Sequence, residues 1–313
     1  MLFLNPKMID DEEKELYYNI VTYQEKKDNS VITEIDNICN KYFGIQFKNI
    51  VLLNPEDLGK YVKLFENYSR DDREKIKDEF KQIQNIKKDK SNYIVNCLYN
   101  NMHTKARKII YSIANTKTCP YCNRNYVDIV RKNKDEYSSF FDLDHFYNKD
   151  EYPMFAVSLY NLIPTCPSCN RKKGIKSLNN YPYKRVNNED DMCFTYKILR
   201  FPVTSEKDIA VEINYKNENV KNDGEKLYLN ELYNHHKDIA LEIIQKTVFN
   251  GKGYLISLIK QFNNLFSNEE DIYRFIYGNY LNKQDWNKRP LAKFTYDLAI
   301  ETLEAYGINK GEE

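Results

Sequence analysis

Four of the seven cysteines form two CxxC pairs, and their spacing suits metal binding. The pairs are Cys119/Cys122 and Cys166/Cys169, with 43 residues between them, and a proline follows the first cysteine of each pair. One CxxC turn presents two thiolates, and two such turns complete the tetrahedral four-thiolate set of a structural zinc ion. Because four thiolates fill the coordination sphere, we expect this zinc to stabilise the fold and not to catalyse a reaction.

The alternative for a CxxC pair is redox chemistry, which requires a surrounding βαβ pattern that this sequence lacks. An odd number of cysteines also argues against a disulfide framework. The three remaining cysteines occur in apolar contexts and are predicted to be buried in the core: Cys39, Cys97 and Cys193.

A second group of polar residues is interleaved with the cysteine pairs. Asp144 and His145 end a β-prone run, Asn161 follows in the next loop, and Asn170 comes directly after Cys169. This order resembles the HNH motif of the ββα-metal endonucleases, in the zinc-knuckle variant whose third position is Asn. The resemblance covers roughly a fifth of the chain and implies a strand, a loop and a short helix that carry the motif in turn.

The resemblance also implies a role for each residue. His145 would be the general base that takes a proton from water. Asp144 and Asn170 would supply two oxygen ligands to a catalytic Mg²⁺ or other divalent ion, which also binds substrate phosphate. Asn161 would orient the loop and the imidazole. Asp142 is predicted to be a solvated carboxylate, with a supporting acid behind the metal ligands as the alternative.

Positive charge is concentrated in the middle of the chain. Between residues 105 and 185 there are fifteen Lys and Arg but only seven Asp and Glu, although the net charge of the whole chain is +1. A basic segment between acidic flanks is typical of a phosphate-binding surface, and a solvated lysine-rich face is the alternative. The candidate nucleic-acid contacts are Arg124, Arg171, Lys172 and Lys173.

The surrounding pattern predicts an α+β, predominantly helical fold. We expect a helical region at residues 1–115, a zinc-stapled ββα-metal module at 116–185, and a region at 186–313 with a short strand pair followed by helices. Residues 91–117 read as a helix pair or one long helix. Within the module, "YPMFAVSLYNL" reads as a short helix and "SCNRKKG" as a helical turn closed by Gly174.

The composition is that of a folded globular protein, with 42% hydrophobic and 30% charged residues. No apolar run is long enough to cross a membrane, and the start "MLFLNPKMIDDEEKE" does not have the pattern of a secretory signal. We therefore predict a cytoplasmic protein with no membrane association.

Three further histidines are candidates for chemistry. His235 and His236 are adjacent in a predicted helix, where their side chains point about 100° apart and do not readily share one metal. We expect a structural or surface role for them, with an approach of one of them and Asp238 to the active site as the alternative. His103 is predicted to be a surface helix residue.

Together with "LYNHHKDIALEII", the module is similar to a narrower group of HNH nucleases, those that accompany an ABC- or SMC-like ATPase in bacterial anti-phage modules of the Septu type. The resemblance implies a nuclease effector that cleaves nucleic acid, with DNA favoured, and whose acidic helical flanks dock onto the ATPase. The chain itself has no Walker A motif. The alternatives are a non-catalytic zinc-ribbon nucleic-acid-binding or scaffold subunit, and an RNase of abortive-infection type.

Overall fold

The computed structural model describes residues 4–22, 29–83, 94–134, 136–184, 191–249, 257 and 268–305. The chain forms two compact units, which are described separately. The amino-terminal unit comprises Phe3–Thr116 and Val127–Arg185; the carboxy-terminal unit comprises Met1–Leu2, Lys117–Tyr126 and Val186–Glu313. The predicted three-part division at residues 115 and 185 stays a prediction.

Helices make up the first part of the amino-terminal unit. They are α1 (Asp11–Val21), α2 (Asn29–Phe43), α3 (Phe47–Val51), α4 (Pro55–Glu66), α5 (Arg70–Gln82) and α6 (Thr104–Ala114). Capping residues fix several starts: the Asn54 side chain accepts hydrogen bonds from the backbone of Glu56 and Asp57 at the beginning of α4. Of the segment predicted as helical at 91–117, residues 91–93 lie outside the described residues. The rest forms a π-helical turn at Ile94–Tyr99 and then α6.

Two small antiparallel sheets and one short helix complete this unit. Strands β1 (Ile129–Arg131) and β2 (Tyr137–Ser139) pair, as do β3 (Asp142–His145) and β4 (Leu162–Thr165). Helix α7 (Pro167–Lys173) follows β4 directly and ends at Gly174, whose φ of +52° is a conformation that favours glycine. Helix α7 packs on β3, and α6 packs on β4.

The loop between β3 and β4 is anchored to the helices by buried hydrogen bonds. The hydroxyl of Tyr17 donates to the carbonyl of Val157, and the hydroxyl of Ser158 donates to the carbonyl of Ile50. The loop contains two 3₁₀ turns, Pro153–Phe155 and Leu159–Asn161, where the sequence predicted one short helix. These contacts with residues far away in the chain hold the loop, and local sequence does not reveal them.

The carboxy-terminal unit contains the predicted strand pair and a set of helices. Strands β5 (Met192–Ile198) and β6 (Ile209–Tyr215) are antiparallel. The helices are α8 (Glu218–Lys226), α9 (Leu229–Asn234), α10 (Lys237–Phe249), α11 (Glu269–Tyr277) and α12 (Ala292–Ala305). The described chain is thus rich in helix with small two-stranded sheets, as predicted.

Candidate active site and metal centre

Two acidic residues of β3 are each hydrogen-bonded to a residue of α7. The Nδ2 of Asn170 donates to Oδ2 of Asp142 at 3.0 Å, and the Nζ of Lys173 donates to Oδ1 of Asp144 at 3.0 Å. Positions two apart on a strand share a face at a separation of about 7 Å, and positions three apart on a helix share a face with a rise of about 5 Å. The two spacings match well enough for both pairs to form side by side.

His145, the last residue of β3, is buried beside the loop between β3 and β4. Its Nε2 lies 2.8 Å from the carbonyl oxygen of Ala156. Since a carbonyl oxygen only accepts, Nε2 carries the proton and Nδ1 is left with the lone pair. The ring of Tyr99 packs against the imidazole, with 4.3 Å between ring centroids. Burial lowers the pKa of His145 to about 3, so the imidazole is neutral at pH 7.

Asn161 is fully buried and holds both ends of the same loop. Its Oδ1 accepts from the backbone N–H of Tyr147, and its Nδ2 donates to the carbonyls of Tyr147 and Phe155. Phe155 immediately precedes Ala156, whose carbonyl oxygen lies against His145. Asn161 therefore fixes the backbone that orients the imidazole.

The basic residues of α7 do not share one environment. Arg171 and Lys172 are exposed, and Nε of Arg171 donates to the carbonyl of Pro167 at 3.3 Å. Lys173 is only 1% exposed, and its Nζ donates to the carbonyl of His145 at 2.7 Å as well as to Asp144. This placement differs from the predicted nucleic-acid contact, because a residue three positions after Asn170 lies on the same inward face of the helix.

Asp142 and Tyr99 are neighbours of the site that the sequence did not single out correctly. Asp142 accepts the amide of Asn170, so it is a partner of a predicted metal ligand and not merely a solvated carboxylate. The hydroxyl of Tyr99 donates to the carbonyl of Leu143, which places its ring beside β3. The alternation of Asp142 and Asp144 along the strand was a sequence signal for the role of Asp142. No local pattern pointed to Tyr99. Within the described ranges, His145 and Asn170 share no hydrogen bond.

The four paired cysteines form a cluster. Their side chains are buried, and the four Sγ atoms lie within 4.8 Å of one another. None of these cysteines is in a disulfide. A tetrahedral site with Zn–S bonds of about 2.3 Å requires sulfur separations of about 3.8 Å, so the donor set fits a zinc ion.

The backbone around each pair supports this arrangement. The first pair lies in a hairpin closed by a bridge between Thr118 and Tyr126, and the N–H of Arg124 donates to Sγ of Cys122 at 3.4 Å. In the second pair, Cys166 is the N-cap of α7, and Pro167 occupies the first position of that helix.

Arg124 is paired with one of the remaining histidines, and the other two lie at the ends of helices. Nε of Arg124 donates to Nε2 of His236 at 2.8 Å, within the carboxy-terminal unit. Burial, and then the charge of Arg124, lower the pKa of His236. His235 is exposed and caps α9. His103 is exposed at the N-cap of α6, where its Nδ1 accepts the N–H of Lys105.

One known protein is similar to a short part of this chain. A stretch of 65 residues is 37% identical to the Septu protein PtuB of Bacillus thuringiensis. The match covers 21% of this chain and 22% of the length of that protein. No protein-family model and no solved structure matches the chain. In the described ranges, no helix combines the length and apolar character needed to cross a bilayer.

Proposed function

We propose that this protein is a divalent-metal-dependent endonuclease of the HNH type that acts in anti-phage defence. The observation that carries the proposal is the arrangement of β3, β4 and α7. A strand ends in Asp144 and His145, a fixed loop carries Asn161, and a short helix following β4 carries Asn170. This succession of strand, loop and short helix supports the proposal, because the family resemblance implies that these elements carry the motif in turn.

His145 is the proposed general base. Its Nε2–H is held by the carbonyl of Ala156, which leaves the lone pair on Nδ1 to accept a proton from the attacking water. The negative charge of a bound phosphodiester would raise the pKa of this buried imidazole towards the range of an effective base. The water oxygen then bonds to phosphorus as the phosphodiester P–O bond to the leaving oxygen breaks. Asn161 keeps the imidazole in this orientation through its three bonds to the loop backbone.

Asp144 and Asn170 are the proposed ligands of a divalent cation such as Mg²⁺. The amide nitrogen of Asn170 is engaged by Asp142, which directs its Nδ2 to the strand and leaves Oδ1 as the atom suited to a cation. A carboxylate and an amide oxygen are hard donors of the kind that Mg²⁺ prefers. When bound, the ion would stabilise negative charge on the phosphate and on the leaving oxygen.

Arg171 and Lys172 are the proposed phosphate contacts beside this site. Both are exposed on α7, the helix that carries Asn170. Contacts to phosphate position a nucleic acid without reading its sequence. We also retain Arg124 as a proposed contact, although its Nε is directed to His236.

The similarity to Septu protein PtuB supports the placement in anti-phage defence. By the family resemblance, the partner would be an ABC- or SMC-like ATPase that restrains or directs cleavage in the cytoplasm. DNA is the favoured substrate.

The proposal is tested by incubating the purified protein with supercoiled plasmid, single-stranded DNA and a structured RNA, with Mg²⁺ or with EDTA, with and without the product of the neighbouring gene. We expect Mg²⁺-dependent cleavage that EDTA abolishes and Asn170→Ala reduces strongly. Cleavage of RNA alone would indicate the RNase alternative. No cleavage under any condition, together with binding of nucleic acid, would indicate the non-catalytic alternative.

A further inference from the structure

The pairing of Lys173 with Asp144 sets the charge of the proposed metal site. Asp144 is 3% exposed and Lys173 is 1% exposed, and their charged atoms are 3.0 Å apart. Lys173 also donates to the carbonyl of His145, so two acceptors on β3 hold its ammonium group. A buried ammonium group at this distance from a carboxylate offsets nearly all of its charge.

The other groups near Asp144 do not restore a net negative charge. The imidazole of His145 is buried, and its Nε2 is held by the carbonyl of Ala156. Asn170 is uncharged, and it is hydrogen-bonded to the negative Asp142. Lys149 adds a positive charge near His145, with its Nζ 5.5 Å from the centre of the Tyr99 ring. The acidic groups in these contacts are Asp144 and Asp142, and Arg107 adds a further positive charge that acts on Tyr99.

Divalent cations bind oxygen sites more tightly as the number of ligand charges increases. A site with one neutralised carboxylate and one amide is therefore poor at holding a divalent ion by itself. A phosphodiester would supply the missing negative charge and oxygen ligands together. The buried lysine thus makes binding of the divalent ion depend on the bound phosphate, and binding of the phosphate depend on the ion.

We propose that Lys173 is a positioning residue that fixes Asp144 and lowers the metal affinity of the free protein, so that metal and nucleic-acid phosphate bind together. This inference rests on the proposed nuclease function of the same site. It also accounts for an ammonium group one helical turn from Asn170 whose charge is directed inward and not to the surface.

The first readout is binding of Mn²⁺ to the zinc-loaded protein, measured from the electron paramagnetic resonance signal of free Mn²⁺. The variants are Lys173→Gln, which keeps a donor for Asp144 but removes the charge, and Lys173→Met, which removes both. Lys176→Gln is the matched control, since it removes the same charge from an exposed position just after α7 to which no role is assigned. We expect Lys173→Gln to bind Mn²⁺ at least about tenfold more tightly than the wild type and Lys176→Gln to stay within about twofold.

The second readout is the effect of Mn²⁺ on binding of a fluorescent DNA duplex, measured by anisotropy in a His145→Ala background that cannot cleave it. Linkage requires that metal strengthen DNA binding as much as DNA strengthens metal binding. We expect strong enhancement with Lys173 present and weaker enhancement in Lys173→Gln.

Equal or weaker Mn²⁺ binding by a folded Lys173→Gln protein would overturn the inference, and so would an unchanged enhancement of DNA binding. If Lys173→Met does not fold, Lys173→Gln alone decides. Mg²⁺-dependent cleavage by the wild type together with either contrary result would leave the proposed function standing. Absence of Mn²⁺ binding in every variant, together with absence of cleavage by the wild type, would overturn both.

Discussion

The side-chain amide of Asn161 pairs with the backbone of Tyr147 in both directions. Its Oδ1 accepts from the N–H at 2.8 Å, and its Nδ2 donates to the carbonyl at 3.1 Å. A second donation to Phe155 extends the clamp to the residue before Ala156, whose carbonyl holds His145. The asparagine at the middle of the motif thus acts on the imidazole through the backbone.

We predict that Asn161→Ala lowers the free energy of unfolding by about 2–4 kcal/mol, because one buried and two partly buried backbone groups lose their partner. Asn161→Asp should be at least as damaging, since a carboxylate cannot donate to the two carbonyls. Thermal and urea unfolding measure the effect, and the exposed Asn67→Ala serves as the control. A loss below about 0.5 kcal/mol in Asn161→Ala would show that the clamp contributes little.

Removal of the metal from the cysteine cluster should destabilise the protein. We expect one zinc per chain, and Cys166→Ser should lose it and unfold at a markedly lower temperature, because structural zinc binding is coupled to folding. Cys193→Ser removes a half-buried cysteine that lies outside the cluster and should keep the zinc. Elemental analysis and thermal unfolding check both variants; a Cys166→Ser protein with full zinc content would contradict the assignment.

The exposed cations of α7 should contribute to nucleic-acid affinity without selecting a sequence. Replacing Arg171 and Lys172 together by Ala should weaken binding to unrelated sequences equally. It should also reduce the slope of log affinity against log salt by about two, because two phosphate contacts no longer release counterions. Lys63→Ala, an exposed cation on α4, should leave the slope unchanged. The proposed role fails if the double variant retains the wild-type slope.

The contact between Arg124 and His236 predicts a pH dependence of stability. Burial and the charge of Arg124 lower the pKa of His236 in the folded protein, His235 acts in the same direction, and Asp238 opposes them. Above about pH 6.5, both the folded and the unfolded chain carry a neutral imidazole and this contribution is fully present. As the pH falls below that value, the unfolded chain takes up the proton first, so the free energy of unfolding decreases until the folded pKa is passed.

Urea unfolding between pH 7 and pH 5 tests this expectation. His236→Gln should show a shallower loss of stability with falling pH than the wild type. Asn67→Ala, which replaces an exposed residue that does not titrate, should follow the wild-type slope. Identical slopes for the wild type and His236→Gln would mean that His236 does not contribute to the pH dependence of stability.

Sequence patterns predicted the parts of the site that depend on local spacing. The two CxxC pairs indicated a four-thiolate cluster, and the four cysteines lie together. The strand ending at His145 and the turn closed by Gly174 were visible as a β-prone run and a glycine after a short helix.

The sequence did not predict which face of a helix is buried or which distant residues meet in the fold. Three consecutive basic residues, Arg171 to Lys173, read as one surface cluster, but a helix places the third beside Asn170 on the inward face. Asp142 and Asp144 are two apart on a strand, and Asn170 and Lys173 are three apart on a helix. Comparing these two spacings would have identified the pairs Asp142–Asn170 and Asp144–Lys173. The contact of Arg124 with His236 joins residues 112 positions apart, so no local pattern reveals it.

The central claim is that His145 is the base of a metal-dependent nuclease, and the most direct measurement is the rate of Mg²⁺-dependent plasmid cleavage by His145→Gln. Glutamine preserves a donor for the carbonyl of Ala156, so the variant should unfold near the wild-type temperature. It offers no basic nitrogen, so it cannot accept a proton from water. We predict a loss of cleavage rate of about 10²–10⁴-fold. The control His103→Asn keeps a preferred helix cap and should cleave at the wild-type rate. Wild-type cleavage by His145→Gln would contradict the account.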